Sequence, residues 1–367
     1  MRKPKICVYS ICKNETKFIN RWMKSAEPAD YRVVLDTGST DQSFEMLQSY
    51  SNVITAQHII EPFKFDVARN EALSMIPEDT DICITMDMDE TLSDGWREAV
   101  EKAWVPGTGS ARCKFVYGFN EKGEEAGVFT ATRMHARKNY TWTHSIHEVI
   151  TYIGSTPEKV IFIPGMQFNH LPDPTKPRHY LEMLQRATDI ENPDARDMYY
   201  LGREYMYHEM WYECIDTLYR YMSIKNYNWN EEYASAYRFI SKSYINLNQT
   251  QLAIKALDSA IKLSPFTREC YIDLAYIYIN EKEWEKAAVN IDKALLITRP
   301  SDTFVNVGYA WDATVYDLGV LAFYYSGQYS KALECANKCV ETDKDNERFI
   351  NNLRLVQQKI ASLNSQH

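Results

Sequence analysis

The chain has 367 residues, 45% hydrophobic and 25% charged, which suits about two globular domains and excludes a wholly disordered or fibrous polypeptide. A net charge of −9 disfavours a general nucleic-acid binder, because phosphate backbones are gripped by Lys and Arg. No run of about 18 apolar residues is available to span a bilayer, and the N-terminal MRKPKICVYSICK has no small-residue cleavage site of a secretion signal.

In chain order, KICVYSI (5–11) is rich in β-formers. NETKFINRWMKSAEP (14–28) has helical spacing at Phe18, Ile19, Trp22 and Met23 and ends before Pro28. YRVVLDTGSTD (31–41) predicts a strand entering a polar glycine turn, QSFEMLQSY (42–50) a helix, and NVITAQ (52–57) a strand. DVARNEALSMI (66–76) predicts a helix and DICITMD (81–87) another strand. This alternation predicts a parallel sheet covered on both faces. In such sheets ligands sit outside the carboxyl ends of the strands.

LPDPTKPRHY (171–180), with three prolines, reads as a linker and lid, which sets the domains at 1–178 and 179–367. Beyond it the period becomes helical. NQTQLAIKAL (248–257), KEWEKAAVNI (282–291) and GQYSKALECA (327–336) align on Ala253, Ala287 and Ala332. The first two alanines are 34 residues apart, the length of a tetratricopeptide unit; the next interval is 11 longer, an insertion around Tyr309–Asp312. EMWYECIDTL (209–218) is an earlier, degenerate copy, and ERFINNLRLVQQKIASL (347–363) predicts a terminal capping helix. Most of the 26 tyrosines are expected to pack between helices, some to line a groove. The eight cysteines lie scattered in apolar segments, and Cys335 and Cys339 have no second pair nearby to complete a zinc site. Reduced core thiols and a cytoplasmic protein are expected.

The chemistry concentrates at predicted strand ends. The run Ile82–Met86 stops at Asp87-Met88-Asp89-Glu90. Carboxylates at the end of a buried strand are costly unless they face solvent or a cation. Alternate residues of an extended chain share a face, so Asp87 and Asp89 form a candidate site for Mg²⁺ or Mn²⁺ and a diphosphate. Asp36 ends another strand, followed by Gly38, where a ligand can approach the backbone, and by Asp41. Asn14 and Glu15 end the first strand; Asp66, Arg69 and Asn70 open a helix, where Arg69 suits either a phosphate clamp or a structural ion pair.

The series Asn14-Glu15, Leu35-Asp36-Thr37-Gly38-Ser39-Thr40-Asp41, Phe65-Asp66-Val67-Ala68-Arg69-Asn70 and Met86-Asp87-Met88-Asp89-Glu90 resembles the family 2 glycosyltransferases of GT-A fold. With YTWTHSIHEV (140–149), QFNHL (167–171) and the repeats that follow, the layout resembles the subgroup of sublancin-type peptide S-glycosyltransferases. The resemblance implies an α/β GT-A nucleotide-sugar-binding domain followed by an all-α tetratricopeptide-like repeat domain. It implies that Asp36 contacts the nucleotide base, that Asp87-Met88-Asp89 binds the metal and donor diphosphate, and that transfer inverts the sugar.

Inversion needs a base opposite the leaving group. Glu148 is the first candidate, with His147 or Glu90 as substitutes; in an extended segment His147 and Glu148 would point to opposite faces. His170 is the candidate that completes the metal shell with Asp87 and Asp89. The expectation is therefore a metal-dependent transferase using a UDP-sugar, UDP-glucose by default, with its acceptor held between catalytic and repeat domains. That acceptor is a peptide, a glycan or another hydroxyl or thiol substrate, and the repeats offer a surface for homo-oligomers. The competing expectation is an interaction scaffold carrying an inactive transferase domain. A nucleotidyltransferase fits less well, because Ser10–Glu15 contains no glycine.

Overall fold

The computed structural model describes residues 2–120, 123–175, 180–224, 228–301, 303 and 305–364. Two compact units divide between Met183 and Leu184. The sequence-based boundary at 178/179 lies outside the described residues, as does part of the lid segment, residues 176–179.

The first unit runs β1 (Ile6–Cys12), α1 (Thr16–Ser25), β2 (Tyr31–Asp36), α2 (Ser43–Gln48), β3 (Ile54–Gln57), α3 (Phe65–Ser74) and β4 (Ile82–Thr85). It continues with β5 (Glu90–Leu92), α4 (Trp96–Ala103), β6 (Ser110–Phe119), β7 (Glu125–Ala136), β8 (Tyr140–Thr143), β9 (Val149–Tyr152) and β10 (Val160–His170). Helix α1 buries Phe18, Ile19, Trp22 and Met23, the spacing seen in the sequence, and stops at Ser25, ahead of Pro28. Strands β1 and β4 are apolar almost throughout because both their faces are covered.

The main sheet has the order β3-β2-β1-β4-β7-β6-β10-β5. Its first four strands are parallel, as the βαβ alternation predicts. The rest corrects that expectation, because the sheet is mixed. Strand β7 runs antiparallel to β4 and β6, and β5 antiparallel to β10. The reason is chain length. Only residues 120–124 separate β6 from β7, too few for the crossover that parallel strands need. A second correction concerns Asp87 and Asp89. The chain does not continue extended past Thr85; the Glu90 N–H donates to the Asp87 carbonyl at 2.9 Å and closes a turn between β4 and β5.

Strand β8 is fixed to the sheet by a buried polar chain. The Trp142 indole N–H donates to the Tyr9 hydroxyl at 3.0 Å, and Tyr9 lies 2.9 Å from His135 Nε2. His135 Nδ1 faces the Ala136 carbonyl at 2.8 Å, so Nδ1 carries the proton and Nε2 accepts from Tyr9. Burial keeps the His135 imidazole well below its ordinary pKa, at about 4, and therefore neutral.

Helix α5 (Tyr180–Thr188) crosses the division between units. The second unit then forms helical hairpins: α6 (Ala195–Tyr207) with α7 (Trp211–Met222), α8 (Asn230–Asn246) with α9 (Thr250–Leu263), α10 (Arg268–Asn280) with α11 (Trp284–Leu296), and α12 (Thr314–Tyr325) with α13 (Tyr329–Thr342). Helix α14 (Glu347–Asn364) follows at the predicted capping position. Ala253, Ala287 and Ala332 are fully buried in the second helices. The first helices bury their own small series, Gly202, Ser241, Ala275 and Gly319. A Cβ at Gly319 would come within 2.8 Å of Cys335 Sγ, so helices pack here at a distance larger side chains would prevent. All eight cysteines are buried and unbridged. Among the described residues, no helix is long and apolar enough to cross a membrane.

The hairpin turns repeat in detail. Each carries one left-handed residue, Glu209, Asn248, Lys282 or Gly327, at the start of the four aligned sequence segments. In each, the following N–H reaches back to close the preceding helix: Met210 to Tyr205, Gln249 to Tyr244, Glu283 to Tyr278 and Gln328 to Phe323, at 2.8–2.9 Å. Three of the four positions carry a Cβ in a conformation that favours glycine. Lys282→Gly is expected to stabilise the chain, and Gly327→Ala to destabilise it, by about 1 kcal/mol each. Urea unfolding measures both. Opposite signs support the strain account; equal midpoints for all three chains refute it.

Candidate active site

Because β1, β2 and β4 are parallel, their carboxyl ends emerge on one edge of the sheet. That edge carries Asn14 and Glu15, the turn from Asp36 to Asp41, and the turn from Asp87 to Glu90. Strand β7 returns antiparallel beside β4 with Met134 opposite Ile84, which brings Arg133 to the same edge. His170 pairs with Glu90 at the end of β10. The loop between β8 and β9 supplies Glu148. His144 and His147 adopt left-handed conformations there, so the loop turns rather than running extended. The Ser145 carbonyl accepts the Phe65 N–H at 2.9 Å and ties the loop to the start of α3.

Two guanidiniums, Arg69 buried and Arg133 half-buried, organise these acids. Arg69 Nη2 donates to Asp87 Oδ1 at 2.7 Å, and its Nε pairs with Glu148 Oε1. The Arg69 guanidinium lies over the Trp142 ring at 4.8 Å. Arg133 pairs with Glu90 Oε1 and approaches Asp87 Oδ2 at 3.7 Å, over the rings of Phe115 and Phe168. Burial alone would raise the Asp87 carboxyl, but Arg69 and Arg133 outweigh it and hold Asp87 down, at about 2. Burial pushes the Glu90 carboxyl up, against the pull of Arg133, to about 7.

These contacts place each expected residue. Both Asp87 oxygens face guanidiniums, so Asp87 is a charge partner for Arg69 and Arg133. Met88 is 3% exposed and packs in the apolar core. Glu90 is 1% exposed; one oxygen pairs with Arg133 and the other accepts the Asp87 N–H at 2.9 Å, so it is no base for an acceptor. Asp89 and His170 do come together. His170 Nε2 lies 3.3 Å from Asp89 Oδ2, while Nδ1 lies 2.9 Å from the Tyr117 carbonyl, which it can serve only as a donor. Burial opposes a charged imidazole, but Asp89 and the Tyr117 carbonyl raise His170 above its ordinary pKa. Glu148 is set beside the cluster by Arg69, and the His147 ring packs 5.3 Å from the Tyr180 ring.

The glycine turn forms a second centre on the same edge. Asp36 is fully buried. Its Oδ1 accepts from the Gly38 and Ser39 amides at 3.0 and 2.8 Å and from Gln57 Nε2 at 3.0 Å, and its Oδ2 accepts from the Ser39 hydroxyl at 2.5 Å. Asp36 therefore holds the turn from a fully buried position. Asn14 Oδ1 accepts the Thr40 N–H at 2.7 Å, and the Glu15 N–H donates to Ser43 Oγ at 2.7 Å, so both shape this turn. Asn70 is also structural, its amide bonded to the Trp142 backbone at 2.8 and 2.9 Å. Asp66 opens α3 with a buried Oδ1 that has no hydrogen-bond partner among the described residues.

Sequence reasoning passed over Arg133 and Gln57. Arg133 lies in β7, which has no apolar run to mark it as part of the sheet. Gln57 was the last residue of a predicted strand and carried no motif.

Arg133→Met removes the guanidinium paired with Glu90, and breaking a buried pair from one side costs about 3 kcal/mol. Adding Glu90→Gln is expected to recover most of that loss. Urea unfolding of the two single variants and the double variant tests the pair; a loss in Arg133→Met that Glu90→Gln leaves untouched refutes it.

A family model described as a tetratricopeptide repeat matches residues 234–267, from α8 to the turn after α9. No curated protein matches the chain. Solved structures similar to it include a crystal structure of MamA, 20% identical, covering 46% of this chain and 87% of that one, TM-score 0.35. They also include TTC0263, a thermophilic TPR protein of Thermus thermophilus, 15% identical over 48% of this chain and 89% of that one, TM-score 0.34. A third is YrrB, described as a TPR protein with an unusual peptide-binding site, 18% identical over 47% and 80%, TM-score 0.36. The second unit is a tetratricopeptide-like repeat array, and the first is a mixed α/β unit.

Proposed function

We propose that the first unit is a metal-dependent, inverting glycosyltransferase of GT-A type, taking its sugar from a UDP-sugar, and that the repeat unit recruits the acceptor. The observation that carries this reading is the pairing of Asp89 with His170 beside the Arg69–Asp87–Glu148 bridge, at the ligand-binding edge of a parallel half-sheet.

Asp89 and His170 fit a divalent cation. They offer a carboxylate oxygen and an imidazole nitrogen 3.3 Å apart, and the imidazole is oriented by a carbonyl on its other nitrogen. An imidazole beside a carboxylate suits Mn²⁺ better than Mg²⁺. When bound, the ion would neutralise the diphosphate of the donor. The chain's own residues supply the rest. Arg69 positions the Glu148 carboxylate, which takes the proton from the acceptor hydroxyl or thiol as that atom forms its bond to the anomeric carbon. The bond between that carbon and the diphosphate oxygen breaks on the opposite face. Its electron pair leaves with the nucleoside diphosphate, and the sugar is inverted. The glycine turn at Asp36–Asp41 and the end of β3 receive the nucleoside.

Tetratricopeptide arrays present extended surfaces to partner chains. The 34-residue match at residues 234–267 therefore supports a protein or peptide acceptor over a free sugar. The same match supports the second reading, a scaffold whose α/β unit is inactive.

Hydrolysis of a panel of nucleotide sugars, with and without Mn²⁺, separates the two. Wild type is expected to release UDP only with metal, and Asp89→Ala to lower that rate at least about a hundredfold. Silence across all donors, without any thermal shift, favours the scaffold. Glu148→Gln is expected to keep donor binding and to slow transfer by about 10² to 10⁴. Normal transfer by that variant would remove Glu148 from the role of base.

A further inference from the structure

On the nucleotide-donor reading above, the glycine turn receives the base, yet its most prominent acid is closed. Asp36 is fully buried and each of its oxygens is occupied by donors of the chain. A neighbouring group must do the recognising.

Gln57 is exposed at the carboxyl end of β3, directly opposite Asp36 in the parallel register. Two bonds lock it there. Its Nε2 donates to Asp36 Oδ1 at 3.0 Å, and the next backbone N–H, of His58, donates to the Asp36 carbonyl at 2.9 Å. The orientation of the amide follows from chemistry. Asp36 Oδ1 already accepts two backbone N–H groups, so the Gln57 group facing it must be the donor, the NH₂. The Gln57 carbonyl oxygen is thereby directed away, and among the described residues nothing donates to it.

An apolar surface lies beside this acceptor. Ile59 is 61% exposed and leans over the glycine turn. A Cβ at Gly38 would stand 3.0 Å from Ile59 Cγ1, and the φ of +100° at Gly38 keeps that approach open. The spacing also agrees with the donor. Strand β3 stands three steps from β4, about 14 Å at the usual strand separation, which is close to the reach of a nucleoside diphosphate from base to terminal phosphate.

We propose that Gln57 selects the base of the nucleotide donor, its Oε1 accepting a ring N–H, so that the site takes a base with a ring N–H, as in a uracil donor, and rejects cytosine. Uracil presents an N–H at N3 where cytosine presents a bare acceptor. Cytosine would set acceptor against acceptor at the Gln57 oxygen.

Calorimetric titration of the full chain with UDP, CDP and N3-methyl-UDP, at saturating Mn²⁺, tests this. Wild type is expected to hold UDP about tenfold tighter than CDP, with N3-methyl-UDP no tighter than CDP. Gln57→Leu is expected to bring the UDP-to-CDP ratio near one by weakening UDP alone, with its unfolding midpoint near wild type. A merely structural role would weaken both nucleotides together and keep their ratio. A ratio unchanged in Gln57→Leu, or N3-methyl-UDP binding as tightly as UDP, overturns the assignment while leaving the donor reading in place. If folded wild type binds none of the three, the donor reading itself falls and the assignment with it.

Discussion

The candidate site depends on one buried cation. Arg69 joins three pieces of chain that are distant in sequence: helix α3, on which it sits, the end of β4 through Asp87, and the β8–β9 loop through Glu148. Trp142 beneath its guanidinium belongs to β8, and Asn70, the next residue of α3, clamps the Trp142 backbone. Burial works against the charge on Arg69, but Asp87 and Glu148 more than restore it and raise its pKa above the ordinary value. Remove Arg69, and the Glu148 carboxylate loses its ion-pair partner while Asp87 keeps only the more distant Arg133. The ion pairs are therefore better understood as orienting the acids than as a source of net stability.

The acids on this edge are unequally partnered. Asp87, Asp89, Glu90 and Glu148 are four carboxylates, set against the guanidiniums of Arg69 and Arg133 and the His170 imidazole. Each guanidinium is committed to an Asp87 oxygen and one glutamate, which leaves Asp89 with His170 alone. On the proposed reading, a divalent cation at Asp89 and His170 would be the counter-charge for a donor diphosphate. The two acids of the Asp87-Met88-Asp89 stretch differ in their partners. A turn, not an extended strand, carries them, and it aims one at the guanidiniums and the other at the imidazole.

Much of this architecture is local and therefore legible in sequence. The apolar runs of β1, β2 and β4, the 3.6-residue spacing of α1 and the aligned Ala253, Ala287 and Ala332 depend on near neighbours in the chain. The same holds for the hairpin turns, where Asn248, Lys282 and Gly327 occupy equivalent positions without sharing a residue type. What sequence does not expose is set by pairing at long range. Strand β7 has mostly exposed residues and no apolar run, and only its register against β4 brings Arg133 to the acids. Asp36 illustrates the opposite error. Its place at a strand end is visible in sequence, but its saturation by Gly38, Ser39 and Gln57 is a matter of geometry.

The insertion between α11 and α12 constrains how the repeats can bind a partner. It folds back onto the first helices of two hairpins. Arg238 of α8 and Asp273 of α10 pair at 2.7 Å, and the Tyr309 hydroxyl bonds to both. The Trp311 indole N–H donates to Glu269 at 3.2 Å, with the Arg268 guanidinium 4.8 Å from its ring. Glu269 is almost fully buried by this packing, and its Oε1 also accepts the Val307 N–H at 3.1 Å. The charged groups most suited to gripping an extended peptide on α8 and α10 are thus already satisfied within the chain. On the proposed reading, an acceptor would have to bind repeat surface that the insertion does not cover, or displace a segment held by the Arg238–Asp273 ion pair and two aromatic side chains.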